Sequence, residues 1–248
     1  MLKRLIYCDL KTVLRIPIAV FFSNIFPLVM ASILIFSIGN IHLFEDYYFV
    51  DKYYSIALVI GILPLSLISL PMSITNLNQT KLLERYYLHG IKPTKVVSSI
   101  LIVHFILGIF EFLLITIFLK IVFGLNIPGF EFFLSLLINY SIVLLVMLLV
   151  GLLLGIIINR REITQVVGIS LMFLLFFICG IFGDFTNLPS SIQFVGELIP
   201  IKYLAVDSFN IISEQLLVID KFYLLSLVWI ILFALLNFAL LKRTYKMV

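Results

Sequence analysis

The chain has 248 residues, 63% of them hydrophobic and only 12% charged. A soluble domain of that length needs far more polar surface, so the composition excludes one and points to an integral membrane protein. The formal charge is +4, but the cations stand between apolar runs, as topology signals do, and not in one patch, which argues against a nucleic-acid partner.

Met1 to Arg15 reads as an amphipathic surface helix. Leu2, Leu5, Ile6, Leu10, Val13 and Leu14 share one broad face, and Arg4, Lys11 and Arg15 gather opposite. Asp9 falls inside the apolar arc. A basic helix just before a span lies in the membrane interface with its cations near lipid phosphates; a plain cytoplasmic tail with positive-inside charges is the alternative. The first apolar run is too long for a signal peptide, has no small-residue cleavage site after it, and is expected to be retained.

Six spans are predicted: Ile18 to Ile38, Tyr53 to Ile74, Val97 to Phe123, Phe132 to Ile158, Ile163 to Phe182 and Phe222 to Leu241. Each reaches the roughly 20 residues that cross a hydrocarbon core of about 30 Å. Pro27, Pro64 and Pro71 are expected to kink these helices without breaking them. With the N-terminus inside, 13 of the 17 Lys and Arg fall on the cytoplasmic side, so both termini are assigned there, in the cytoplasmic membrane. The whole chain, 1–248, reads as one transmembrane domain.

Between spans 2 and 3 lies a basic, amphipathic island, Asn76 to Lys95. Lys81, Arg85, Lys92 and Lys95 face a single anion, Glu84, while Leu82, Leu83 and Tyr86 recur at helical spacing. Gly90 and Pro93 stop the helix. Such a helix cannot lie in hydrocarbon; it sits on the cytoplasmic surface and presents a face to a partner, read here as a soluble motor subunit that the chain lacks. The long external segment, 183–221, carries two short amphipathic stretches around Pro200, which fit helices on or dipping into the outer leaflet or a cap with no transport role.

Glu111 stands near the middle of span 3. An ionised carboxylate there costs about 2.5–3.5 kcal/mol, so it must face a cavity or partner or carry a proton. His104 and Gly108 share its face. Glu111 and His104, with Asn139 and Tyr140 on span 4, are candidates for a translocation path or subunit seam; hydrogen-bonded helix packing is the alternative reading. Gly151 and Gly155 form a GxxxG pair that permits close helix contact. Cys8 and Cys179 lie at different levels, so no disulfide framework is expected. No phosphate loop, HExxH or nucleophile elbow occurs, nor a His/Cys cluster at metal spacing, so no catalytic residue, metal site or cofactor is assigned to the chain.

Three stretches carry a resemblance: LKRLIYCDLKTVLRIPIAVFFSNIFPLVM at the start, KLLERYYLHGIKPTKVVSSILI after span 2, and LPSSIQFVGELIPIKYLAVDSFN before span 6. In this order and spacing they resemble the permease subunit of type-two ABC exporters, with its elbow helix, Arg-x-Pro and Phe-Pro, its coupling helix, and its Leu-Pro…Pro-x-x-Tyr external helices. Where that family often carries Arg-Glu-x-Gly before the coupling helix, this chain has Asn78, Gln79 and Thr80. The resemblance implies an all-α membrane protein with six transmembrane helices, an N-terminal elbow helix, a cytoplasmic coupling helix between spans 2 and 3, and short external helices between spans 5 and 6. It implies no ATPase site of the chain's own: ATP and Mg belong to separate ABC ATPase subunits, which dock on Thr80, Lys81, Leu82, Leu83, Glu84, Arg85, Tyr86, Tyr87 and Leu88. It also implies a second permease chain, identical or a sister. The cargo would be a drug, lipid-like molecule, peptide or glycan. Two other readings remain open: a proton-coupled secondary carrier using Glu111, and a non-transporting immunity or assembly partner.

Overall fold

The computed structural model describes residues 2–13, 21–39, 41–44, 47–127, 129–181, 183, 185–208 and 219–244. Helix α1 is Leu2–Val13. A π turn, Phe21–Ile25, runs directly into α2, Phe26–Ile38, with Pro27 just past the junction. A short antiparallel hairpin, β1 (His42–Phe44) with β2 (Tyr47–Tyr48), leads into the long helix α3, Phe49–Gln79. The helices that follow are α4 (Leu82–Leu88), α5 (Pro93–Phe123), α6 (Phe130–Ile157) and α7 (Arg161–Ile178). Beyond them come α8 (Ser190–Glu197), α9 (Pro200–Lys202) with a π turn over Tyr203–Asp207, and α10 (Ile219–Thr244).

Five helices, α3, α5, α6, α7 and α10, are long and apolar enough to cross a membrane. The apolar α2 is shorter, and residues 14–20 of the expected elbow and first span, Arg15 among them, lie outside the described residues, as does the part of the expected second external helix beyond Ser208. The observed helices differ from the expected spans mainly at their ends. Helix α3 begins at Phe49 because the Asp51 carboxylate accepts the Tyr48 N–H (2.8 Å) and closes the first turn. It also continues five residues past Ile74, through Asn76 to Gln79, so the island between spans 2 and 3 is not one compact helix but the end of α3, a tight turn, and the seven residues of α4. Helix α7 stops at Ile178, four residues early, where Gly180 turns the chain at φ +70°.

Helix α3 is the axis of the bundle. It packs against α2, α5, α6 and α7 and, near its start, against the Tyr203–Asp207 turn. Its most apolar window is 94% buried, against 17% for that of α10, which leans chiefly on α6.

The middle of α3 is irregular for a readable reason. Leu65–Ser69 is π-helical, between Pro64 and Pro71. Pro71 has no N–H, so the Leu67 carbonyl loses its α-helical donor and the Ser66 carbonyl loses the π-register alternative. Two neighbouring helices bring glycines to these two carbonyls. A methyl group on Gly151 of α6 would overlap the Ser66 oxygen, and one on Gly168 of α7 would overlap that of Leu67. Gly155 lies against Pro71 and Ile74, less tightly. The absent side chains let backbone C–H groups approach the stranded oxygens, a weak but apt pairing in a core with few other donors.

The two ends of the bundle are distinct. One holds α1, α4 and the α6–α7 turn; there Thr75 on α3 bonds Thr164 and the Ile158 carbonyl, each at 3.1 Å. At the other end, Asp51 accepts the Asn126 N–H (2.8 Å) from the α5–α6 loop. The cap over that end is fastened by Lys202, paired with Asp207 at 2.9 Å and lying 5.0 Å from the Phe185 and Tyr203 ring centres, and by the Trp229 indole, which donates to the Leu198 carbonyl (3.0 Å).

Candidate functional site

Two features could carry function: the short helix α4 at one end, and the polar contacts that line the wall between α3 and α5.

Helix α4 is set by its two turns. Thr80 ends α3, its Oγ1 donating to the Asn76 carbonyl at 2.7 Å. Lys81 adopts the left-handed conformation, φ 53°, the one non-glycine residue with positive φ among those described. Thr80 and Lys81 are therefore hinge residues before the helix and not part of it. At the far end Gly90, φ 77°, allows the Ile91 N–H to reach back to the Tyr86 carbonyl (2.9 Å), closing the helix as only a residue free to turn left-handed does cheaply. Leu83 is 2% exposed and joins the core, and Tyr86 packs against that core. The apolar stripe expected to meet a partner thus faces the chain's own bundle instead. Tyr87 and Leu88 point away from it, 40% and 82% exposed. Lys81, Glu84, Arg85, Lys92 and Lys95 are exposed around them.

The wall between α3 and α5 carries polar contacts at successive levels. Ser69 of α3 meets His104 Nε2 at 3.1 Å, while His104 Nδ1 lies 2.9 Å from the Ile100 carbonyl. A neutral ring with its proton on Nδ1 satisfies both. About two turns along lies Glu111, fully buried against Gly61, with no hydrogen-bond partner on either carboxylate oxygen. Beyond it Tyr54 and Thr116 share a 2.6 Å hydroxyl contact. Tyr140 of α6 donates to the Gly108 carbonyl (2.8 Å) and packs on Phe112, with ring centres 5.0 Å apart. Asn139 accepts a bond from Tyr223 of α10 at 2.9 Å. Glu111 and Tyr140 therefore lie within electrostatic reach of each other inside one chain, His104 sits about two turns away on the same helix, and Asn139 belongs to the α6–α10 contact.

The profile of the ABC-2 type transporter family matches residues 2–211, from α1 through the cap fastened by Lys202. The chain belongs to that family. It is a transmembrane transporter permease, a multi-pass membrane protein whose family lacks an ATPase site of its own. No curated protein matches it.

In this permease α1 lies along α5. Leu5 and Val13 are buried, Lys11 is exposed, and Asp9 accepts a hydrogen bond from Ser99 at 2.7 Å. Burial raises the Asp9 carboxyl above its ordinary value, and the Ser99 bond opposes that rise. The sequence reading found the apolar face but took Asp9 as a flaw in it; Ser99, ninety residues away, supplies the reason. The Lys202 clasp and the glycine seats at Ser66 and Leu67 also escaped it. Gly151 and Gly155 on α6, Gly168 on α7 and two prolines on α3 were the available signals, but nothing local joins them.

Proposed function

We propose that this permease is the membrane half of an exporter driven through α4 by separate ABC ATPase subunits. ATP and Mg act on those subunits. Two permease chains, identical or paired with a sister, form the path for a drug, lipid-like molecule, peptide or glycan. The end of the bundle bearing α1, α4 and the α6–α7 turn is cytoplasmic, in keeping with Lys11, Lys81, Arg85, Lys92, Lys95, Arg160 and Arg161 gathered there.

The observation that carries this reading is the exposed Tyr87–Leu88 pair, held by a helix that begins two residues after the most buried helix of the bundle. An apolar pair ringed by cations suits a groove with an acidic rim on the motor subunit. Closure of the motors on ATP would push α4 and tilt the end of α3, shifting the bundle between two conformations. α1, which packs along α5, would move with it.

The test is co-purification with an ABC ATPase subunit co-expressed with the permease. The double variant Tyr87→Asp with Leu88→Asp is expected to weaken association at least about tenfold, or ~1.4 kcal/mol, with the melting temperature unchanged. Leu83→Asp instead lowers the melting temperature, because it charges the core. Association that survives the Tyr87/Leu88 double variant refutes the docking role.

A further inference from the structure

Glu111 is the buried ionisable group with no structural work assigned to it. Both its oxygens lack a donor, and no salt bridge reaches it among the described residues. The titratable groups around it are few and occupied. From α6 comes Tyr140, within electrostatic reach of Glu111 and of Tyr54, its hydroxyl committed to the Gly108 carbonyl. From α3 comes Tyr54, committed to Thr116. On α5 itself His104 lies about two turns away, committed to Ser69 and Ile100. A metal ion would need further oxygen or nitrogen ligands, and no group of three acidic, His or Cys side chains occurs among the described residues.

The seat is equally specific. The carboxyl lies over Gly61, where even a methyl group would overlap it. α3 has thus left out a side chain at the level where α5 places an acid. Both carboxylate oxygens are buried without a partner, so an ionised carboxylate here would have neither counter-charge nor protein donors.

We propose that Glu111 is a proton-binding site in the wall between α3 and α5: its carboxyl holds a proton while it lies over Gly61 and gives that proton to water when the two helices part. The O–H bond breaks, water takes the proton, and the carboxylate stays behind, hydrated. The parted and closed forms of the bundle therefore bind different numbers of protons, and rising pH favours the parted form. This goes beyond the motor reading and stands whether or not an ATPase drives the chain.

The experiment uses the purified full chain in lipid nanodiscs. Infrared spectra at neutral pH are expected to contain a protonated-carboxyl absorption that is missing in Glu111→Gln. In Gly61→Ala, which evicts the carboxyl, that absorption is replaced by carboxylate. A spin-label pair across α3 and α5 reads the same event in the native chain: the separation widens on alkaline titration in step with loss of the acid absorption, and in Glu111→Gln it stays fixed. This second measurement serves if Gly61→Ala does not fold. Absence of a Glu111-dependent acid absorption at neutral pH overturns the proposal, as does a separation that responds to pH identically with and without Glu111.

Discussion

Helices α3 and α10 are both long and strongly apolar, yet the window that qualifies each as a span is 94% buried in one and 17% in the other. Hydropathy alone does not tell them apart. The difference lies in the irregular residues. α3 carries two prolines, a π segment and several serines, and Ser66 and Ser73 bond back to carbonyls of their own helix. Such a helix strands backbone oxygens, which lipid cannot satisfy, so it survives only where other helices cover it. α10 is regular and needs no cover. It turns Leu224, Leu227, Leu235 and Phe238 outward and holds α6 through Tyr223, which donates to Asn139, and through the buried Asn237, whose amide donates to the Leu149 carbonyl at 2.9 Å.

That contrast can be broken most sharply at Gly151. Gly151→Ala drives a methyl into the Ser66 backbone carbonyl and should cost stability at the top of the roughly 1–3 kcal/mol overpacking range, read as a large drop in melting temperature in detergent. Asn237→Leu removes the buried donor of α10 and should cost about 0.6 kcal/mol, the usual worth of an interhelical bond in a membrane. Leu227→Ala, on the outward face of α10, should stay within about 0.5 kcal/mol of the parent in the same assay. If Leu227→Ala proves as damaging as Gly151→Ala, the outward face of α10 is covered by protein and the comparison fails.

The sequence conveyed the helices and hid their partners. Five helices lie where apolar runs were expected, because length and hydropathy are local properties. Which face of a helix looks inward is not local. Leu82, Leu83 and Tyr86 formed an apolar stripe, and the stripe was real, but a stripe seeks any apolar surface and found the chain's own core. The exposed pair, Tyr87 and Leu88, sits off that stripe and was noticed only as part of the segment. Gly151 and Gly155 matched a pattern common by chance in leucine-rich spans; the importance of Gly151 lies in Pro71, eighty residues earlier, which leaves the Ser66 carbonyl it approaches without a donor, and Gly155 gives room to Pro71 and Ile74 themselves. Glu111 was conspicuous from its cost alone, yet Gly61, which makes room for it, gave no sign in the sequence.

The two residues joining α3 to α4 leave no slack. Thr80 is bonded at both its N–H and its side chain, and Lys81 is folded into a tight left-handed corner. A loose tether would absorb a displacement of α4 by uncoiling. This one is hydrogen-bonded at both of its residues, so α4 is tied closely to the foot of α3, whose Thr75 is itself bonded to Thr164 and the Ile158 carbonyl at the same end of the bundle.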